Sequence, residues 1–156
     1  MTVTGGTANG VGTFNYTAIA TDKAGNAVSQ SGTYKVVYRF DGFLQPINDT
    51  AHQVGTSTSV FKAGSTVPVK FQLRNAAGNS VQSATAPAWL APVKGGAMSL
   101  PVDETVQTVS ADSGSTFRYD TGQYLYNWKT GTGGNYWQIG VKLDDGQTYF
   151  VTIGLR

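Results

Sequence analysis

Apolar residues along this chain recur at every second position, in short runs separated by clusters of Gly, Asn, Asp and Pro. Phe14, Tyr16, Ala18 and Ala20 share one face of residues 13–21, and Tyr34, Val36, Tyr38 and Phe40 share one face of 28–40. A period of two marks a half-buried strand. The intervening Asp22-Lys23-Ala24-Gly25-Asn26 is a turn signal, so the two runs predict a β-hairpin. Residues 1–11, small and rich in Gly and Thr, predict a linker or fraying edge. Gly42 and the stretch 45–49 break the alternation, and 44–59 predicts a connecting loop. A strand pair is expected at 58–62 and 66–74, with Val67, Val69, Phe71 and Leu73 on one face, followed by a turn at 75–79. Three prolines and the Gly95-Gly96 pair predict that 84–101 is mostly loop with one short strand. Further strands are expected at 104–109 and 115–119.

The last 35 residues carry the clearest pattern. Tyr124, Tyr126 and Trp128 alternate, 131–134 turns the chain, and Trp137, Ile139, Val141 and Leu143 alternate in turn. Asp144-Asp145-Gly146 is a strong hairpin signal, because Asp-Gly accepts the positive φ angles of tight turns. No window sustains a period of 3.6. The chain is therefore predicted to be all-β, a sandwich of short strands with an N-terminal hairpin. The run Asp120 to Tyr126 matches the tyrosine corner of immunoglobulin-type sandwiches, in which a Tyr near the start of strand F bonds to backbone a few residues upstream. On that reading Tyr124 is the corner residue and the fold is an immunoglobulin-like antiparallel sandwich.

Composition narrows the class. The 156 residues are 40% hydrophobic, enough for a packed core, but only 13% charged, about half the ~25% of an average soluble domain. Thr, Ser, Asn, Gln and Gly supply the polar surface, a mixture suited to extracellular β-modules. The net charge of +2 is not gathered into any basic run, which argues against a nucleic-acid partner. No apolar stretch is long enough to span a membrane as a helix. With no cysteine, disulfides, thiol nucleophiles and Cys-based metal sites are excluded. The first residues do not read as a signal peptide, so a secreted parent is expected to carry its signal upstream and Met1 reads as a start added at expression.

Catalytic chemistry finds little to build from. His52, the single histidine, falls in a predicted loop and reads as an exposed side chain. Asp103, Glu104, Asp112, Asp120, Asp144 and Asp145 are candidates for a carboxylate pair, but turn chemistry accounts for the aspartates better. The chain is thus expected not to be an enzyme and to need no cofactor. Structural calcium is the one metal considered, with Asp22 and Asn26, Asp41 and Asp49, or Asp144 and Asp145 as oxygen donors, although the ligand spacing of a calcium loop is missing. Lys70 suggests an intramolecular amide crosslink to Asn or Asp, weighed against a plain solvated lysine at a strand edge. Exposed aromatics are the substance of a carbohydrate-binding alternative. Trp89, between Pro87 and Pro92, and Tyr136, on the opposite face from Trp137, are the candidates for stacking on a sugar.

Two segments resemble known families. Residues 12–38, with Asp22-Lys23-Ala24-Gly25-Asn26 and the strand ending at Tyr38, resemble the closing hairpin of bacterial immunoglobulin-like and hyalin-repeat-like domains. From about residue 38, Tyr38, Phe40, Gly42, Phe43, Pro46, Lys62-Ala63-Gly64 and Val67-Pro68-Val69-Lys70-Phe71 resemble the PxKF domain, with Tyr126, Trp128-Lys129, Leu143 and Asp145-Gly146 as its distal marks. Many relatives carry a mid-region cysteine pair that this chain lacks. The resemblance implies a boundary: 1–38 as the last hairpin of an upstream domain, 39–156 as a PxKF-like sandwich. It also implies a bacterial or archaeal cell-surface or secreted setting and no catalytic mechanism. An orphan hairpin exposes edges and an apolar face. It is expected to pack continuously with the strands starting at Phe40, with strand exchange into a homo-oligomer as a further possibility. The expected function is a structural and interaction module, a spacer, stalk or terminal domain. Its expected partners are other domains of the parent protein, or an extracellular polysaccharide under the carbohydrate-binding alternative.

Overall fold

The computed structural model describes residues 1–49 and 58–156, and these contain strands but no helix. The strands are β1 (Thr2–Gly5), β2 (Gly12–Thr21), β3 (Ala27–Val36), β4 (Arg39–Leu44), β5 (Val60–Phe61), β6 (Thr66–Arg74), β7 (Ala88–Ala97), β8 (Arg118–Asp120), β9 (Gln123–Lys129), β10 (Asn135–Lys142) and β11 (Thr148–Leu155). They form three sheets, ordered β1-β2-β3, β4-β6-β9-β8 and β5-β11-β10-β7. The last two face each other. Their contact is aromatic: Phe40 stacks on Tyr149 with centroids 4.1 Å apart, Trp89 on Tyr126 at 4.6 Å, and Trp128 meets Trp137 edge-on at 5.9 Å. Taken in chain order, β4-β6-β9-β8 against β7-β10-β11 is the A-B-E-D and C-F-G arrangement of an immunoglobulin-type sandwich. The short β5 adds a parallel pairing to β11.

Alternation explains the core. Val67, Val69, Phe71 and Leu73 of β6 are all buried, as are Tyr124, Tyr126 and Trp128 of β9 and Ile139 and Val141 of β10. Phe71 sits at the centre, stacked on Tyr124 at 5.0 Å and edge-on to Phe117 at 4.9 Å. The proline in the middle of β6 looks at first misplaced, because a central strand needs every donor. Pairing of β4 to β6 ends at Leu44 and Lys70, so among the described residues no strand pairs with Pro68 on that side, where the isolated Gln107 bridge reaches Thr66 only. On the other side Pro68 stands opposite Asn127, whose own N–H turns away from β6 and donates to the Asp112 carboxylate at 2.7 Å. The missing N–H therefore faces where no partner strand runs among the described residues.

Several expectations need correction. Residues 1–11 are not a free linker: β1 pairs with β2, which makes the N-terminal hairpin a three-stranded sheet. The run 28–40 is two strands, β3 and β4, in different sheets, divided after Val36. Residues 58–62 and 66–74 do hold strands, but β5 and β6 belong to opposite sheets and do not pair. The segment 84–101 contains a ten-residue strand, β7, and Pro92 and Gly95-Gly96 lie inside it. Two irregularities absorb them. The register to β10 slips between Val93 and Leu90 and again between Ala97 and Lys94; each slip leaves one residue of β7 unpaired, as in a bulge. Because β7 is an edge strand, proline is tolerated there. The 104–109 strand is reduced to an isolated bridge between Gln107 and Thr66, and the strand expected at 115–119 is the three-residue β8.

The tyrosine corner is also reassigned. Tyr124 lies in β9, the E position of the sandwich, not in F, and its hydroxyl reaches Ser83, accepting from the Ser83 N–H at 2.6 Å and sharing a bond with the Ser83 hydroxyl at 2.7 Å. It thus ties β9 to a segment 41 residues upstream instead of to its own preceding loop. The Tyr126 hydroxyl donates to the Gly114 carbonyl at 2.7 Å.

Candidate functional site: the junction and the aromatic faces

One hairpin geometry recurs, at 7–11 in the β1–β2 loop and in three further turns. In 22–26, 75–79 and 143–147 the first residue donates to the carbonyl of the fifth, and a glycine in the fourth place donates back to the first carbonyl. Gly25, Gly78 and Gly146 have φ of 90°, 82° and 86°, where a side chain would be strained. In the first two turns the leading Asp22 or Asn75 folds its side chain onto its own turn, accepting from the backbone two and four residues on. Asn26 also donates from its side chain to Asp22, and these bonds hold the Asp22 carboxyl below its usual range. The third turn begins with Leu143, which has no such group. Its carboxylate sits at Asp145 instead, and that carboxylate is used elsewhere.

Asp145 is buried. One oxygen accepts from Gln147 N–H within the turn at 2.9 Å; the other accepts from Tyr38 N–H at 2.9 Å, across the link between β3 and β4. The Lys35 ammonium donates to the Asp145 carbonyl. Around this point the N-terminal sheet is sewn into the sandwich. Val11, from the β1–β2 loop, and Tyr38 are each 2% exposed and belong to the same hydrophobic core as Phe71 and Ile139. Asn9 donates to the Gln82 carbonyl. Burial, first of all, raises the Tyr38 hydroxyl above its usual value, while Asn9 and the Ala84 backbone hydrogen-bond to it. The N-terminal sheet thus meets the sandwich at its base, through Asn9, Val11, Lys35 and Tyr38. Farther out, Ile19 and Val28 are exposed, and among the described residues no second layer covers the sheet.

The two rings nominated for sugar stacking do not form one platform. Trp89 is in β7, not a loop, directly opposite Val141. Opposed residues share a face, and Val141 is fully buried, so Trp89 points into the sandwich, against Tyr126, Phe117 and Trp128. Tyr136 neighbours the inward-facing Trp137 and lies on the other side of the same sheet, half-buried next to Gly95. Rings that remain together outside the sandwich are in the N-terminal sheet: Phe14 and Tyr34 stack at 5.2 Å, and Tyr16 tilts toward Tyr34 at 6.5 Å. Alternation assigns these three to strand faces, but it does not show that no second sheet lies over them among the described residues.

The acidic residues are dispersed. Asp103 accepts from Val60 N–H at 2.7 Å, and the adjacent Glu104 is raised above its usual value, by burial first and then by the Asp103 charge. Asp112 takes the Asn127 N–H and an ion pair with Arg118; Asp144 takes the Thr85 N–H at 3.0 Å; Asp120 is exposed at the end of β8. Asp41 pairs with Arg39 and Arg74, while Asp49 accepts from Phe43 N–H. Among the described residues no three His, Cys, Asp or Glu gather where a metal ion would need them. His52 lies outside the described residues. Lys70 is half-exposed on the outer side of β6, opposite Leu44 and Leu125. Comparison of the chain with protein-family models, curated proteins and solved structures finds no match, so the reading of this site rests on its own geometry.

Proposed function

We propose that the chain is a non-catalytic structural and interaction module of a secreted or cell-surface protein, a spacer, stalk or terminal domain whose task is to hold neighbouring parts at a fixed geometry. The observation that carries this reading is the junction. The buried carboxylate of Asp145 serves the link between two β-structures, and Val11 and Tyr38 extend one core across it. A flexible linker would leave such groups in water; a rigid spacer needs them packed, because each buried donor left unpaired costs about 1–3 kcal/mol. Low charge and Thr-, Ser- and Gly-rich strands support the extracellular setting, and so does the resemblance of 38 onward to the PxKF domain. The dispersal of acidic side chains into turns and strand ends favours a structural role over acid–base chemistry.

Carbohydrate binding is the second reading, and the Phe14–Tyr34–Tyr16 cluster, with Tyr34 exposed, is what favours it, since accessible rings stack on sugars. A polysaccharide panel read by intrinsic fluorescence separates the two. The structural reading expects no saturable change with any sugar. Saturable quenching that is lost in Tyr34→Ala overturns it in favour of a carbohydrate-binding module.

A further inference from the structure

Each free sheet edge in the described residues but one is short or carries a register slip, and so resists pairing. Edge strand β7 has Pro92, Lys94 and two register slips; β4 has a register slip and charged Arg39 and Asp41; β8 is three residues long, β5 two and β1 four. Shortness, proline, charge and bulges are the known means of keeping edges from pairing. Strand β3 is neither short nor bulged, and a single charge near one end is its one such device. It is ten residues long, pairs with β2 through ten unbroken steps, contains no proline, and has one charged residue, Lys35, near its end.

Its free backbone groups can be identified. The turn bond from Asp22 N–H to the Asn26 carbonyl sets the alternation of the ladder. Val28, Gln30, Gly32, Tyr34 and Val36 therefore direct their backbone groups to β2, while Ala27, Ser29, Ser31, Thr33 and Lys35 direct theirs outward. The other side of β2 agrees, because Thr13, two steps from Asn15, accepts from Gly6 N–H on the β1 side at 3.0 Å.

We infer that β3 is a self-association edge, pairing antiparallel with β3 of a second copy about a twofold axis at Ser31. Five outward residues centred on Ser31 make the strand self-complementary. Ser31 meets the partner's Ser31, Ser29 meets the partner's Thr33, and Ala27 meets the partner's Lys35. All of these are hydrogen-bonded positions, and no like charges face each other, since the strand's single ammonium lies across from an alanine. On the face carrying the stacked rings, Val28 meets the partner's Tyr34, an apolar pair of the kind that stabilises sheets. The product is one six-stranded sheet through two copies, with a sandwich at each end.

Sedimentation velocity over about a hundredfold range of concentration tests this, since association must follow mass action. The chain is expected to move from 16.5 kDa toward twice that mass as concentration rises. Ser31→Lys and Ser31→Glu, both at an exposed site, each place like charges on the twofold axis and are expected to stay monomeric with unchanged far-ultraviolet circular dichroism. An equimolar mixture of the two is expected to regain the doubled mass. A chain that remains monomeric throughout overturns the inference. So does a dimer that Ser31→Lys leaves intact, which would place association on the aromatic face, and so does a mixture that fails to associate.

Discussion

At the scale of single residues, the tyrosines carry much of the polar specification of this core. Tyr124 is nearly fully buried between Phe71 and Tyr119, and its hydroxyl satisfies Ser83. Replacing it with Phe keeps the ring and strands the Ser83 N–H, so Tyr124→Phe is expected to lower stability by about 1–3 kcal/mol in urea unfolding with the m-value unchanged. Burial, the largest cause in each case, also raises the hydroxyls of Tyr38, Tyr124, Tyr126 and Tyr149 above their ordinary 10.0. A raised folded value means that the neutral phenol is preferred in the folded chain. That stability is fully present below pH 10 and is lost as pH rises through the folded values. Tyrosinate absorbance is therefore expected to show these four of the eight tyrosines ionising late, together with unfolding; early, reversible ionisation of these same four in the folded chain would contradict their burial. These inward positions were legible in the sequence, because alternation assigns Tyr124, Tyr126 and Trp128 to one face. The partner of Tyr124 was not, since a contact 41 residues away leaves no local pattern.

At the scale of elements, the decisive contacts are between turns and strands. The turns at 22–26, 75–79 and 143–147 differ at their first position, and of these only the one that begins with Leu143 lends a carboxylate to another segment. Asp145→Ala leaves the Tyr38 and Gln147 N–H groups without their acceptor, at a cost of about 1–3 kcal/mol for each buried donor. In hydrogen exchange, β2 and the inner half of β3 are expected to lose protection in this variant, while β6 and β9, at the centre of the sandwich, keep theirs. Uniform loss across all strands would show that Asp145 supports the whole fold and not the junction. The hairpin signals at 22–26, 75–79 and 144–146 were readable because glycine and Asx chemistry is local. Strand β7 was not, because Pro92 and Gly95-Gly96 signal loop, and only an edge position and register slips reconcile them with a strand. The separation of β5 from β6 was hidden for the same reason: the sequence shows two strands and a turn, whereas sheet membership is decided by the β11 and β9 partners.

At the scale of the whole molecule, the chain is a two-layer sandwich with a single-layer sheet fixed to one end. The sandwich class followed from composition and period. That the sheet is anchored at its base did not, because the anchor combines Val11 from a Gly-rich loop, Tyr38 between strands and Asp145 from the far hairpin. Each of these is unremarkable in its own stretch. The candidate rings show the same limit, for Trp89 and Tyr136 read alike as exposure candidates yet occupy opposite sides of one sheet. The central claim is that sheet and sandwich form one rigid body, which is what a spacer requires. Residual dipolar couplings of backbone amides, measured at concentrations where the chain is monomeric, test it most directly. The account predicts that one alignment tensor fits the couplings of β2 and β3 together with those of β6, β9, β10 and β11; two different tensors, or a strongly reduced one for β2 and β3, would contradict it.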